Sequence, residues 1–233
     1  MLVLLVAAGL AAAAGWLLWF SDYVLVEEVR VEGLVEMPAD KVLDAAGVPV
    51  GSPMVRVDLD APTQRVRGLA PVSAVEVTRD WPHSVTITVT ERQPLAVLSE
   101  GSSYRALDRD GVLFRRYTDL PEGLPRVQAD DLASAARGAG DAGGAARADA
   151  LREVAAVVEA LDDSIARRVD YVQVSSLDAI ELVLRDGVRV QWGSAADSDV
   201  KSDVLTAVMQ VPAASYDVSV PTMPTTAGQA PSS

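Results

Sequence analysis

The chain has one histidine, His83, and no cysteine among its 233 residues. The missing cysteine excludes disulfides, thiol catalysis and thiolate metal sites. One imidazole cannot make a multi-histidine metal centre, and a nucleophilic triad would have to be built on His83 alone. His83 stands in Trp81-Pro82-His83-Ser84, a turn sequence, which predicts a surface turn residue. Trp81 beside it is read as a plug at the base of a domain. Two aspartate pairs, Asp58/Asp60 and Asp108/Asp110, have the alternate spacing with which a calcium loop begins. Neither is followed by the glycine and distal glutamate that such a loop needs, so turn and cap roles account for both. No glycine-rich phosphate loop follows a predicted strand, and no serine sits in a nucleophile elbow. The net charge is 20 − 33 = −13, the wrong sign for a phosphate backbone. Catalytic, cofactor and metal residues are therefore assigned as none, with no nucleic acid and no small-molecule substrate.

What remains is binding, and the elements that would carry it can be laid out along the chain. Residues 2–20, LVLLVAAGLAAAAGWLLWF, carry no charge. As a helix they would be about 28 Å long at roughly 1.5 Å per residue, close to the hydrocarbon core of a bilayer. Trp16, Trp19, Phe20 and Tyr23 cluster at one end, where aromatic rings favour the headgroup level. A cleaved signal peptide would have a basic start and a shorter apolar run. The expectation is a transmembrane anchor over 1–21, with almost nothing before it and an acidic bulk after it.

Next come a strand over Val24–Val31, a turn at Gly33, and a short helix over Pro38–Ala46 closed by Gly47. Asp60 is placed to cap a second helix over Ala61–Leu69. A strand over Ala74–Arg79 turns through Trp81-Pro82-His83 into Ser84–Glu91, whose Val85, Ile87 and Val89 alternate with polar residues. The order is β-α-α-β-β, closing on a hairpin.

From Pro94 strands dominate: Leu95–Leu98, Tyr104–Leu107, Val112–Arg115, Val169–Val174, Ile180–Leu184 and Val188–Trp192. Hairpin turns are read at Asp108–Gly111 and Arg185–Gly187. Helices are read over Leu151–Leu161, with a stripe of Leu151, Val154, Val158 and Leu161, and over Asp199–Met209. The Ala/Gly-rich stretch 129–148 predicts a flexible loop. Tyr216–Val220 is the last predicted strand. The Pro, Thr, Ser and Gly after it predict a disordered tail, placed at 224–233.

Several of these segments resemble, in order, the FtsQ/DivIB family of bacterial division proteins. Within Gly68–Leu98 the matching residues are Pro71, Ala74 and Val75, then Arg79, Trp81 and Pro82, then Val89, Glu91, Arg92 and Pro94. VRVEGL at Val29–Leu34, LDRDGVLF at Leu107–Phe114, DGVRVQWG at Asp186–Gly193 with Lys201 after it, and YDVSVPTMPTT at Tyr216–Thr226 are similar to further family segments. The resemblance implies an α+β chain: an N-terminal transmembrane helix, a POTRA domain over 22–92, then a mainly antiparallel β domain with two helices over 93–223. It implies a non-enzymatic divisome scaffold in the cytoplasmic membrane at the division septum, single pass, with most of the chain outside the cytoplasm. The implied partners are FtsB- and FtsL-type membrane division proteins, which it would join to the septal cell-wall machinery.

Two other classes compete. A POTRA-type chaperone for exported or outer-membrane polypeptides would need more such units, and an anchored cell-wall enzyme would need a nucleophile or a metal constellation. The candidate partner site is Tyr216, Asp217, Val218, Ser219, Val220, Pro221 and Thr222. Their alternation lets one row face a core and the other face water. With a disordered tail behind them they would form an open edge, on which an extended partner segment can pair. The resemblance points to the same region, since the family uses its C-terminal strand to hold the FtsB-type partner. The topology has a direct check: a reporter that works only when exported is expected to be active when fused after Ser233, and a reporter that needs the cytoplasm is expected to be silent there.

Overall fold

The alternating run Ser84–Glu91 is the middle strand of the first of two units in this computed structural model. The structure describes residues 6–10, 24–129 and 140–228. The units divide between Arg92 and Gln93. Residues 6–10 are helical, and the rest of the expected membrane segment lies outside the described residues. No helix among the described residues is long and apolar enough to cross a membrane.

In the first unit, β1 (Glu28–Glu32), β3 (Ser84–Glu91) and β2 (Val72–Asp80) form one sheet in the order β1-β3-β2. β1 runs parallel to β3, and β2 antiparallel to it. Helices α1 (Ala39–Ala46) and α2 (Asp60–Arg67) and a 3-10 turn (Met54–Arg56) complete the unit. Val85, Ile87 and Val89 are buried with Val42, Met54 and Val66 in one apolar cluster, so the period-two pattern of β3 does mark its core face. The cap of α2 differs from expectation. The helix begins at Asp60, and it is the Asp58 carboxylate that accepts the Asp60 N–H at 2.9 Å.

Three polar residues tie this unit together. The buried Glu91 carboxylate accepts backbone N–H groups from Val35 (2.8 Å), Glu36 (3.1 Å) and Met37 (2.9 Å), fixing the loop that leads into α1. Arg79 donates to the carbonyls of Met54 (2.9 Å) and Val57 (2.5 Å), tying the 3-10 turn to β2. Arg65 on α2 donates to the carbonyls of Ala45 (3.0 Å) and Ala46, capping the end of α1. Gly33 has φ +81°, and a Cβ there would come within 2.2 Å of the Val89 carbonyl oxygen, so only glycine fits. Trp81 does not plug the domain: its side chain is about half exposed at the hairpin tip, outside the core.

The second unit is a nine-stranded sheet in the order β12-β11-β10-β9-β8-β7-β4-β5-β6. Its strands are β4 (Ala96–Glu100), β5 (Ser103–Leu107), β6 (Leu113–Tyr117), β7 (Arg126–Gln128), β8 (Val169–Ser176), β9 (Ala179–Leu184), β10 (Arg189–Gly193), β11 (Ser215–Asp217) and β12 (Thr225–Ala227). The sheet is mixed: β4·β7, β7·β8 and β10·β11 are parallel. Helices α3 (Gly140–Ala160), the short α4 (Asp163–Ala166) and α5 (Ser198–Val208) accompany it. The apolar stripe Leu151, Val154, Val158 and Leu161 lies in the core with Val172, Leu182 and Val190.

Three expectations are corrected. The stretch 140–148, taken as part of a flexible loop, is the first half of α3; alanine is the strongest helix former, and Arg147 ties it to Glu100 at 2.9 Å. Residues 130–139 lie outside the described residues. The tail expected to be disordered contains β12. A third helix and the three-residue strand β7, too short to show a period, join the two helices and the strands anticipated. The core register has a simple test. Val85 is fully buried, and its neighbour Thr86 sits on the other side of the sheet between Arg30 and Thr78. Val85→Asp is expected to cost about 4 kcal/mol or more and Thr86→Asp close to nothing, read as a large and a negligible shift in the melting of the first unit.

Candidate partner-binding edge

Residues 215–217 lie deep enough in the sheet to have neighbours on both sides. β10 pairs with β11 in parallel, Val190 opposite Tyr216, and β12 pairs with it antiparallel, Tyr216 opposite Thr226. The expectation of an open edge along Tyr216–Thr222 is therefore corrected: β12 covers it, and among the described residues the open edge at this end of the sheet belongs to Thr225–Ala227. The physical reason is that two threonines after Pro224 are good strand formers, hidden in a composition that reads as disordered.

Each residue of the candidate segment has a distinct place. Tyr216 is 4% exposed, and its hydroxyl accepts the Ala213 N–H (3.1 Å) and donates to the Val211 carbonyl (2.8 Å). Val218 is fully buried, and its N–H donates to the Gln191 carbonyl at 3.0 Å. The Asp217 carboxylate accepts both the backbone N–H (2.9 Å) and the hydroxyl (2.6 Å) of Ser219, so that backbone donor is already taken. Val220, Thr222 and the neighbouring Met223 are exposed, with Pro221 half-buried. The chain turns there, the Met223 N–H donating to the Val220 carbonyl at 2.9 Å. Of the segment, then, Tyr216 and Val218 position the edge, and Val220 and Thr222 lie open beside it.

The direction of the free groups follows from the alternation of backbone hydrogen bonds along a strand. Ala214 accepts from Arg189, and Val218 donates to Gln191, so the even-numbered residues of β11 face β10. Ser215 and Asp217 then face Ala227 and Thr225 of β12, which leaves the N–H and C=O of Thr226 directed to the open side. On one face of the sheet, Glu181, Arg189, Gln191, Asp217, Thr225 and Ala227 line a shallow groove that runs up to this edge. Arg189 and Glu181 pair there at 3.2 Å.

What holds β10 and β11 in place lies in the loop after Gly193. Gly193 has φ +81°, and a Cβ there would come within 3.0 Å of the Ser219 Cβ, so the loop passes directly against the Asp217–Ser219 turn. The indole of Trp192 donates to Ser198 (3.0 Å), and the Lys201 ammonium donates to the Ser194 carbonyl (2.8 Å). Lys201 is buried. Burial pushes its pKa below the ordinary lysine range, against the pull of Asp197 and Glu153. Asp108 and Asp110, by contrast, form a turn: the Asp108 carboxylate accepts the N–H groups of Asp110 (3.0 Å) and Val112 (2.7 Å). The strand β12 and Met223 were missed by sequence reasoning, and the only available signal was the β-branched pair Thr225-Thr226.

The two units define a POTRA-type domain followed by a mixed sheet that, among the described residues, ends on an open strand. Comparison with known proteins agrees with both halves. The family described as POTRA domain, FtsQ-type, matches residues 24–92, and the family described as Cell division protein FtsQ/DivIB, C-terminal, matches residues 96–220. Relatives named Cell division protein FtsQ include that of Streptomyces collinus, 38% identical over 94% of this chain and 84% of its own length. That of Streptomyces coelicolor is 34% identical over 97% of this chain and 88% of its own. The chain belongs to the FtsQ/DivIB family of cell division proteins, and its role is in cell division. A solved extracytoplasmic domain of the division protein DivIB from Geobacillus stearothermophilus superposes with a TM-score of only 0.35 at 14% identity, covering 50% of this chain and 87% of that one, and adds nothing to the assignment.

The buried lysine sets a pH dependence. A lysine whose pKa is depressed by folding binds its proton more weakly in the folded state, so stability rises with pH between the depressed value and that of an unfolded lysine. Replacing Lys201 with methionine is expected to remove that rise from the stability–pH curve of the folded chain, while Lys41→Met, at an exposed position, leaves it unchanged.

Proposed function

We propose that the protein is a non-enzymatic scaffold of the division machinery, anchored in the cytoplasmic membrane by residues 2–20, with its two units outside the cytoplasm at the septum. Its partners are FtsB- and FtsL-type membrane proteins. The observation that carries this reading is the uncovered side of Thr225–Ala227, one of the two edge strands of the nine-stranded sheet among the described residues. A backbone edge pairs with any extended segment that reaches it, and neighbouring side chains choose which. The exposed Val220 and Met223 offer apolar anchors beside the edge, and the Glu181/Arg189/Gln191 groove offers polar ones. The partner segment adds one strand outside β12, so the original candidate residues Tyr216–Thr222 act as the frame and rim of the site.

The test removes a donor without adding charge. Thr226→Pro eliminates the outward N–H and leaves the inward bonds of Thr225 and Ala227 to β11. Losing about 1–1.5 kcal/mol of backbone hydrogen bonding is expected to weaken capture of an FtsB-type segment about tenfold, with circular dichroism and melting unchanged. A folded Thr226→Pro variant that binds the segment at full affinity overturns the assignment of this edge.

A further inference from the structure

The end of the first unit that bears the hairpin tip carries two apolar prongs left exposed among the described residues. Trp81 is 52% exposed and Val50 is 64% exposed. Both are held on rigid backbone. The Glu27 N–H donates to the His83 carbonyl at 2.8 Å, and the His83 ring lies 3.3 Å from the Leu25 carbonyl. On the other side, the Gly51 N–H donates to the Val26 carbonyl (2.8 Å), and the Val26 N–H to the Ser52 carbonyl (2.9 Å). The segment Val24–Glu27 is thus flanked by the turn that carries Val50 and the turn that carries Trp81.

We propose that these two prongs seat in the interfacial layer of the membrane, with Trp81 as an indole at headgroup level, and so fix how the first unit stands on the bilayer. This rests on the reading of residues 2–20 as the anchor. Only Ser21, Asp22 and Tyr23 separate Phe20 from Val24, a reach of at most about 14 Å for a fully extended chain. The end of the unit that bears Trp81 therefore cannot leave the membrane surface. An exposed indole at that height gains from an environment with one apolar and one wet side, as do Trp16, Trp19 and Tyr23 at the end of the apolar run. The charged groups beside it favour an apolar contact over an electrostatic one. Glu27, Glu28 and Asp80 surround the tip with Arg30, and the ion pairs Arg30–Glu28 (2.6 Å) and Arg30–Asp80 (3.6 Å) leave no excess of positive charge for anionic lipid. Seating the tip costs no rearrangement, since both turns are already bonded to the chain that leaves the membrane.

The experiment uses the full chain in vesicles of zwitterionic lipid brominated along the upper acyl chain. Trp16→Phe and Trp19→Phe leave Trp81 and the fully buried Trp192 as the only indoles. Comparison with the same chain carrying Trp81→Phe isolates the Trp81 emission. Loss of that emission in brominated relative to plain vesicles, with its band shifted to shorter wavelength, is the expected result, and anionic vesicles are expected to give the same loss. If the chain floats with the vesicles and Trp81 emission is neither quenched nor shifted, the contact is wrong and the anchor stands. Quenching in anionic vesicles alone overturns the apolar contact in favour of charge. A chain that does not float with vesicles overturns the anchor, and this inference with it.

Discussion

The first unit depends on one buried carboxylate. Glu91 is the last residue of the central strand, and three successive backbone N–H groups of residues 35–37 converge on it. Those groups have no strand or helix to bond with, and at the buried Met37 an orphaned N–H would cost about 1–3 kcal/mol. A single carboxyl group satisfies all three. It thereby joins the end of the sheet to the loop that launches α1, two elements more than fifty residues apart in the chain. Arg79 does the converse, one donor group serving two loop carbonyls. Two of the residues through which the chain resembles its family, Arg79 and Glu91, are in this sense backbone caps. They are what a small three-stranded sheet needs to hold two short helices and the irregular chain between them.

The second unit solves a different problem. Its sheet is long and built partly from short strands, and three of its strand pairs are parallel. Parallel pairs need crossover connections. Helix α3 supplies the one between β7 and β8, and α5 the one between β10 and β11, so the helices that cover the sheet also decide its order. The buried Lys201 belongs to the second crossover. Placing an ammonium there is unfavourable by itself, and its bond to the Ser194 carbonyl satisfies a loop that must bend sharply between β10 and α5. That loop, through Gly193, supports the turn that leads from β11 toward the open strand. The order of causes runs from a sharply bent loop, to a buried cation, to the placement of an edge.

An edge strand is a hazard as well as a site, because its free backbone groups pair with whatever reaches them. Here β12 is only three residues long and wholly exposed, with Pro224 just before it. Those features limit adventitious pairing. In the function proposed above, a partner brings its own order, together with side chains that fit Val220, Met223 and the groove beside Arg189.

Much of this was legible in the sequence. The alternation of Val85, Ile87 and Val89 named the core face of β3, and the glycines at 33 and 111 named turns, because side-chain period and backbone freedom are local properties. The order of motifs from Pro71 to Thr226 identified the family. Composition misled where local cues were weak. Alanine and glycine around 140–148 suggested a loop, but a helix forms there because its later turns are anchored in a core that only the folded chain contains. Tertiary structure alone decided three things: that Arg126–Gln128 is a strand, that β12 folds back on β11, and that Trp81 stays outside the core. A three-residue strand has no period to read, and its pairing is set by a neighbour distant in the chain. Whether a tryptophan is covered depends on what packs above it, which no local pattern records.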